Sequence, residues 1–322
     1  MKAKKVLVTA TNYSKLCANA KQLLLDYGCE IIENTFGRPL TFEELKEVVG
    51  SVDGVIAGVD TWNEEVFRLA PQLQGIARFG VGVDNIDLGA ARKYGIQVTN
   101  VPRGNANAVA ELAVGLMIAV RRSIPLLDQS TKNGGWDRFV GSELAGGTVG
   151  LLGFGNIAQL TAKKLQGFDV ELIAYDKYPD TAKAAEYGVK LTTFDQVLTD
   201  SDIVSMHLPS LKETYRIMND GAFARMKSSA VFINTARGAV VDEQALARAL
   251  TSGVIAGAAI DVYEAEPVSA DNPILRTPNL ITTPHTAAET FETYERVSMV
   301  TAQALLDIFE GREPQHLLTP KA

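Results

Sequence analysis

The chain has 322 residues, enough for about two domains of ordinary size. Hydrophobic residues make up 46% and charged residues 21%, which is typical of a globular enzyme, and the formal net charge is -7. This acidity, without any lysine- or arginine-rich block, argues against nucleic-acid binding. No apolar stretch is as long as a membrane span or the core of a signal peptide, and the two cysteines lack metal-binding spacing. We therefore expect a cytoplasmic protein with no metal, membrane or nucleic-acid partner.

Short β-branched runs alternate with helical patterns over the first hundred residues. The predicted strands are Val6–Thr9, Glu30–Glu33, Gly54–Ala57, Gly75–Phe79 and Gln97–Thr99. The predicted helices are Ser14–Tyr27, Phe42–Val49, Glu64–Leu69 and Leu88–Tyr94. Thr41 and Glu44 have the spacing of a capping box at the start of the second helix. The alternation predicts a parallel sheet covered by helices on both faces.

The alternation stops near Asn100 and resumes at Thr148. Between them, Asn105–Ile118 is an apolar helix pattern, and a second helical stretch continues to about Lys132. The later predicted strands are Thr148–Leu152, Val170–Tyr175, Ile203–His207, Ala230–Asn234, Ile255–Ile260 and Leu280–Thr282. A last helix is predicted at about Ala287–Glu310, and it could return to pack on the N-terminal domain.

A glycine pattern follows the first strand of the second region. Gly153-x-Gly155-x-x-Ala158 would place a tight turn at Gly153, close approach of the backbone to a pyrophosphate at Gly155, and close helix packing at Ala158. Such a pattern alone is weak evidence. Asp176 ends the next predicted strand, where an acid would bind ribose hydroxyls and repel a 2′-phosphate, although it could instead cap a helix. Together these features predict binding of NAD.

Three kinds of polar side chain follow successive strands of the same region. Arg237 follows one strand, Glu264 and Glu266 follow the next, and His285 follows the last. Taken singly, each could be structural: a surface ion pair, a loop carboxylate or a lone histidine. Because ligands of open α/β sheets bind outside the carboxyl ends of the strands, we expect these groups to converge on one crevice.

Hydride transfer to a 2-keto acid requires these three functions. An arginine holds the substrate carboxylate through two parallel hydrogen bonds. A histidine can protonate the carbonyl oxygen near neutral pH, and an acid beside it would orient its ring. The residues alone do not decide whether Glu264 or Glu266 is that acid.

Seven segments carry a resemblance to a known family. They are Gly80–Asp87, Asn107–Leu112, Gly141–Leu144, Gly150–Ala158, Ile233–Glu243, Ala259–Pro267 and Thr283–His285. In this order they resemble the D-isomer-specific 2-hydroxyacid dehydrogenases over nearly the whole chain, and most closely the D-3-phosphoglycerate dehydrogenases.

The resemblance implies an α/β fold with two doubly wound parallel-sheet domains. A Rossmann NAD-binding domain, residues 101–287, would be inserted in a flavodoxin-like substrate-binding domain made of residues 1–100 and 288–322. It also implies a homodimer formed through the helices spanning about residues 102–135. The chain stops after the closing helix, so we expect no C-terminal regulatory domain of the kind that some relatives carry.

The resemblance also implies particular site residues. Arg237 would anchor the substrate carboxylate, Glu266 rather than Glu264 would pair with the histidine, and His285 would be the acid/base. The backbone N–H groups of Val81 and Gly82 would bind the substrate carboxylate. The implied cofactor contacts are Gly153, Gly155, Asn156, Ile157, Asp176, Thr235, Ala236, Arg237, Asp261, His285 and Ala287.

We therefore predict an NAD-dependent dehydrogenase of small D-2-hydroxy acids, with 3-phosphoglycerate as the first substrate. Hydroxypyruvate, glyoxylate or another short 2-keto acid comes next, because the loop Ala57–Trp62 lacks the arginine that phosphoglycerate dehydrogenases often carry there. Asp60 in this loop would repel a phosphate if it faced inward, and Arg78 or Arg103 could replace the missing base. The other interpretation is an NAD(H)-responsive corepressor of the same fold, which the lack of a basic patch disfavours.

Overall fold

The computed structural model describes residues Ala3–Thr319, which fold into two compact units. One unit contains the chain up to Asn105 and from Glu289 onward, and the other is Ala106–Ala288. No helix between Ala3 and Thr319 has both the length and the apolar composition needed to cross a bilayer.

Twelve strands are formed by the described residues. They are β1 Lys5–Val8, β2 Glu30–Glu33, β3 Gly54–Ala57, β4 Gly75–Arg78, β5 Gln97–Thr99, β6 Thr148–Leu152, β7 Glu171–Tyr175, β8 Val189–Leu191, β9 Ile203–Met206, β10 Val231–Asn234, β11 Gly257–Ile260 and β12 Leu280–Thr282.

The α-helices lie between and after these strands. They are α1 Tyr13–Leu16, α2 Ala18–Asp26, α3 Phe42–Val48, α4 Glu64–Leu69, α5 Leu88–Lys93, α6 Ala106–Arg121, α7 Ile124–Lys132, α8 Asn156–Leu165, α9 Thr181–Glu186, α10 Phe194–Asp200, α11 Asp220–Phe223, α12 Glu243–Thr251 and α13 Phe291–Phe309. Short 3-10 helices are found at Val49–Ser51, Gln166–Phe168, Gly238–Val240 and Pro273–Arg276.

Both units are doubly wound parallel sheets, which confirms the predicted fold class. The first sheet has the order β2-β1-β3-β4-β5, the order found in flavodoxin. The second has the order β8-β7-β6-β9-β10-β11-β12, which is the Rossmann order extended by one strand. All the pairings recorded between these strands are parallel. The central strands β3, β9, β10 and β11 are fully buried, as expected for sheets with helices on both faces.

Several elements begin or end one to three residues from their predicted bounds, and three differences are larger. The predicted helix Ser14–Tyr27 is two helices, because Cys17 leaves the helical region with φ -120° and ψ 40°. The last helix begins at Phe291 instead of Ala287, because the N–H of Ala287 is bound by Asp261 and Thr290 caps the helix. Strand β8, Val189–Leu191, was not predicted.

Candidate functional site

The loops that follow β10, β11 and β12 begin at the same level of the second sheet. Asn234 pairs with Ile260 in the parallel register, and Ile260 pairs with Thr282. Adjacent strands lie roughly 4.8 Å apart, so the three loops emerge side by side from one edge. They carry Arg237, Glu266 and His285, respectively, so the predicted trio lies on neighbouring loops.

The Arg237 turn is held by its own backbone and by close packing. The side-chain amide of Asn234 donates to the carbonyl of Arg237 at 3.0 Å and accepts the N–H of Ala236 at 3.0 Å. A Cβ placed on Gly238 would lie 1.9 Å from the carbonyl carbon of Tyr263, so only glycine permits this approach. The guanidinium of Arg237 donates to the carbonyl of Ala236 at 2.7 Å and is partly buried.

His285 and Glu266 form a hydrogen-bonded pair. Nδ1 of the histidine lies 2.6 Å from Oε2 of the glutamate, and their side chains are 41% and 30% exposed. Burial alone would raise the pKa of Glu266. The hydrogen bond and charge of His285, the N–H of Tyr263 and the charge of Arg237 outweigh burial, so the pKa of this carboxyl is lowered. The carboxylate is therefore ionised near neutral pH and orients the ring through Nδ1.

Asp261 organises the loop that carries His285. Its side chain is fully buried and accepts hydrogen bonds from the Thr283 hydroxyl at 2.6 Å and from the N–H groups of Thr286 and Ala287, both at 2.9 Å. The N–H of His285 donates to the carbonyl of Asp261 at 2.7 Å, and His285 has a left-handed φ of 50°. The predicted cofactor residue Asp261 thus directs its carboxylate into the loop.

Tyr263 is a site residue that the sequence analysis did not identify. Its N–H donates to Oε1 of Glu266 at 3.0 Å, and its hydroxyl donates to the carbonyl of Thr283 at 3.0 Å. It therefore connects the loop of the acid with the loop of the histidine. No signal in the sequence indicates this role, because a tyrosine three residues after a buried strand is usually a packing residue.

The glycine loop after β6 has the geometry expected of a dinucleotide-binding turn. Gly153 has φ 96°, and a Cβ there would lie 2.8 Å from the carbonyl carbon of His207. A Cβ on Gly155 would meet nothing within 4 Å, so the backbone there faces open space. Ala158 is fully buried, which allows helix α8 to pack closely against the sheet.

Asp176 does not cap the helix that follows it, since Asp180 caps α9. Its carboxylate instead accepts the N–H of Phe154 at 2.7 Å and the N–H of Tyr178 at 2.8 Å. The acid is thereby fixed against the glycine loop at the end of β7, where ribose hydroxyls would be bound.

The remaining predicted cofactor residues lie on the same edge of this sheet. Asn156 and Ile157 begin α8 directly after Gly155, with Asn156 exposed. Thr235 and Ala236 follow β10, and the hydroxyl of Thr235 is buried without a hydrogen-bond partner among the described residues. An unpaired buried hydroxyl is unusual in a folded protein and is consistent with a ligand that completes its hydrogen bonding.

His207 directly follows β9, which ends one residue earlier than predicted. Burial lowers the pKa of His207 to about 4, and its Nε2 lies 2.9 Å from the hydroxyl of Ser205. The side chain is therefore neutral near pH 7 and differs from His285, which has a carboxylate partner.

The predicted substrate loop of the first unit follows β4. Gly80 has φ 147°, and the carbonyl of Val81 accepts the side-chain amide of Asn100 at 2.7 Å. Asp60 is 1% exposed and accepts the N–H of Leu40, so the carboxylate is turned into the protein. Burial raises its pKa. Asp60 is therefore a buried side chain of this unit, and the charge of Arg78 acts on it.

Comparison with known proteins agrees with this geometry. Residues 114–287 match the family model described as the D-isomer specific 2-hydroxyacid dehydrogenase, NAD binding domain. The chain is 42% identical to D-3-phosphoglycerate dehydrogenase of Archaeoglobus fulgidus over 272 residues, which cover 84% of this chain and 52% of that protein. It is 39% identical to glyoxylate reductase of Thermofilum pendens over 288 residues, 87% of this chain and 85% of that protein.

The chain spans about half the length of the phosphoglycerate dehydrogenases it matches. Among solved structures, it resembles NAD-dependent formate dehydrogenase from Staphylococcus aureus in complex with NAD, with a TM-score of 0.87 and 28% identity. That match covers 99% of this chain and 100% of the other. The chain belongs to the D-isomer-specific 2-hydroxyacid dehydrogenase family.

Proposed function

We propose that this protein is an NAD-dependent D-2-hydroxyacid dehydrogenase that interconverts a small 2-hydroxy acid and its 2-keto acid. The observation that carries the proposal is the His285–Glu266 pair at 2.6 Å, on loops adjacent to that of Arg237. A surface histidine without a catalytic role does not require an ionised, half-buried carboxylate as its partner. A histidine that exchanges a proton with substrate requires such a partner, because a carboxylate stabilises the imidazolium and fixes the orientation of the ring.

Each residue of the trio has one part in the reaction. The guanidinium of Arg237 binds the substrate carboxylate through parallel hydrogen bonds, which orients C2. Nδ1 of His285 is held by Glu266, so Nε2 is the atom that gives a proton to the C2 oxygen in reduction and takes it back in oxidation. Glu266 stays ionised throughout and stabilises the imidazolium, without accepting the substrate proton itself.

The second unit, Ala106–Ala288, is proposed to bind NAD. When bound, the nicotinamide supplies or accepts the hydride. The open space beside Gly155, the fixed carboxylate of Asp176 and the unpaired buried hydroxyl of Thr235 fit such a ligand. The N-terminus of α8 would face the pyrophosphate, since its free N–H groups favour negative charge.

The first unit is proposed to bind substrate. Backbone N–H groups at Val81 and Gly82 would bind the carboxylate, because this loop follows β4 at the carboxyl edge of a doubly wound sheet. We propose 3-phosphohydroxypyruvate as the preferred keto-acid substrate. The guanidinium of Arg78 or Arg103 would bind its phosphate. Glyoxylate is the second candidate, favoured by the match to glyoxylate reductase over 85% of that protein.

An NADH-oxidation panel tests the activity and the substrate together. Purified protein is given 3-phosphohydroxypyruvate, hydroxypyruvate, glyoxylate and pyruvate, and NADH loss is followed by absorbance. We expect turnover with at least one of them, fastest with the phosphorylated acid. Binding of NADH without turnover on any of the four would contradict the proposed activity and support the corepressor interpretation.

A homodimer is also proposed, formed through α6, α7 and the segment that follows. Helix α7 has no buried residue, and Trp136 and Val140 just beyond it are 81% and 99% exposed. Large apolar side chains so exposed near one another are typical of an interface. Light scattering at micromolar concentration should give twice the chain mass, and Trp136→Ser with Val140→Ser should shift it toward the monomer. A monomeric wild-type protein would contradict this assembly.

A cytoplasmic location is part of the same proposal, because both cysteines, Cys17 and Cys29, are free and buried. Free thiols persist in a reducing compartment. Fractionation of the host cells should recover the activity with the cytosol, and recovery elsewhere would contradict the assignment.

A further inference from the structure

Glu266 lies on the acid loop, residues 261–272, which is tied by a carboxylate outside the catalytic trio. Oε1 of Glu243 accepts the N–H of Glu264 at 2.6 Å, and Oε2 accepts the side-chain amide of Asn272 at 3.0 Å. Glu243 is the first residue of α12 and is half-buried. Both of its oxygens therefore bind the acid loop, one on each side of Glu266.

An arginine fork holds the same loop from another direction. Nε and Nη2 of Arg216 donate to the two oxygens of Glu264 at 2.8 and 2.9 Å. The N–H of Arg216 donates to the carbonyl of Ala239 at 2.9 Å, in the 3-10 helix that follows the Arg237 turn. The side chains of Arg216 and Glu264 are 43% and 28% exposed, so this ion pair contributes little to overall stability. Its two parallel hydrogen bonds nevertheless fix the orientation of the acid loop relative to the segment that carries Arg216.

These contacts converge on the peptide next to the catalytic acid. The Tyr263–Glu264 peptide packs against Gly238, and the N–H of Tyr263 donates to Oε1 of Glu266. A shift of this peptide would move the donor that fixes Glu266 and change its contact with His285. The groups that face Glu266 from the neighbouring elements are His285, Arg237 and Tyr263.

We propose that Arg216, Glu243 and Glu264, here called the support cluster, are positioning residues that hold Glu266 in hydrogen-bonding contact with His285. This inference rests on the proposed function. It also separates the two glutamates that the sequence left open: Glu266 binds the histidine, and Glu264 anchors the loop.

The test compares Glu243→Ala and Arg216→Ala with a matched control, Asp220→Ala. Asp220 is also an acidic residue in the first turn of a helix and also forms a two-bond pair with an arginine, Arg248, but among the described residues its carboxylate makes no hydrogen bond to the acid loop. Small displacements of catalytic groups lower rates by up to about 100-fold. We expect kcat/KM for the best keto acid to fall about 10- to 100-fold in both cluster variants, with NADH affinity unchanged. The control should keep the wild-type value.

A conservative variant and the pH profile distinguish positioning from general damage. Glu243→Gln keeps an oxygen acceptor for the N–H of Glu264 and should restore most of the rate. The hydrogen bonds from His285 and Tyr263 lower the pKa of Glu266, whereas burial raises it. When these hydrogen bonds are lost, the effect of burial remains and the pKa of Glu266 rises. The acid-side limb of the kcat/KM profile should therefore move to higher pH in Glu243→Ala and stay in place in Asp220→Ala.

Amide hydrogen exchange gives a readout that is independent of activity. The N–H groups of Tyr263 and Glu264 should exchange faster in Glu243→Ala and Arg216→Ala than in wild type or in Asp220→Ala. The support cluster would be overturned if amide exchange in the two cluster variants were unchanged. It would also be overturned if their kcat/KM and acid-side pH limb were unchanged while His285→Ala was inactive. Either result would leave the proposed function intact. Faster exchange in a protein without any keto-acid reduction would instead reject the proposed function, and with it the catalytic purpose of the cluster.

Discussion

Nδ1 of His285 and Oε2 of Glu266 are 2.6 Å apart although 19 residues separate them in the chain. The contact exists because their loops follow the neighbouring strands β11 and β12, and because Asp261 and Tyr263 hold those loops. The imidazole is 41% exposed, so its second nitrogen can meet a substrate. This pair is the basis for the predictions that follow.

Two glycines of the cofactor loop should respond differently to alanine. Gly153→Ala should destabilise the fold by about 1–3 kcal/mol, because its φ of 96° and its contact with His207 exclude a Cβ. Gly155→Ala should leave stability nearly unchanged but weaken NADH binding roughly tenfold or more, since the added methyl group would occupy the space beside the backbone. Urea unfolding and NADH fluorescence titration measure the two effects. Equal loss of stability in both variants would contradict the distinction.

The buried carboxylate of Asp261 should be needed for both stability and rate. Asp261→Asn leaves one oxygen acceptor for donors from Thr283, Thr286 and Ala287, so at least one buried donor loses its partner. We expect a loss of about 1–3 kcal/mol in unfolding free energy and a lower kcat/KM. The exposed Asp220→Asn serves as control in the same unfolding assay. A variant as stable and active as that control would refute this role.

Much of the fold follows from local patterns in the sequence. Buried parallel strands appear as continuous apolar runs, so β3 and β6 were predicted with the bounds they have. The break at Cys17 and the late start of α13 were not predictable. For α13, one determinant is the bond from the N–H of Ala287 to Asp261, which joins residues too far apart for any local window of sequence to contain.

The candidate site was predictable to a different degree for each residue. Arg237 and His285 each lie three residues after a strand, so position and chemistry predict them as site residues. Glu264 and Glu266 share one loop, and only the resemblance favoured Glu266 as the acid. The three-dimensional contacts separate them, because Glu264 faces Arg216 and Glu266 faces His285. Tyr263 was missed, since its contribution is a backbone N–H that any residue could supply.

The ionised form of Glu266 should stabilise the protein in a pH-dependent way. Its pKa is lowered in the folded state, so its contribution is fully present above the unfolded value of about 4.3 and is lost as pH falls through the lower folded value. The difference in unfolding free energy between wild type and Glu266→Gln should therefore shrink below about pH 4.3. Chemical unfolding of both proteins across roughly pH 3.5–7, a range that includes the unfolded pKa of about 4.3, measures this difference. A difference that grows on acidification would contradict the lowered pKa.

Asp176 should set the preference for NADH over NADPH. Its carboxylate is fixed by Phe154 and Tyr178 at the end of β7, where its charge would repel a 2′-phosphate. Asp176→Asn removes the charge and keeps an acceptor, so the NADH:NADPH ratio of kcat/KM should fall roughly tenfold, about 1.4 kcal/mol. Asp180→Asn, at the N-cap of α9, should leave the ratio unchanged. An equal ratio in wild type and Asp176→Asn would reject this role.

The central claim is that His285 exchanges a proton with a small 2-keto acid during hydride transfer. The most direct measurement is NADH oxidation by His285→Ala with the best substrate of the panel, alongside NADH affinity measured by fluorescence. General acid–base groups contribute about 10²- to 10⁴-fold, so turnover should fall by that factor while the Kd for NADH stays within about twofold. Wild-type turnover in His285→Ala would contradict the account.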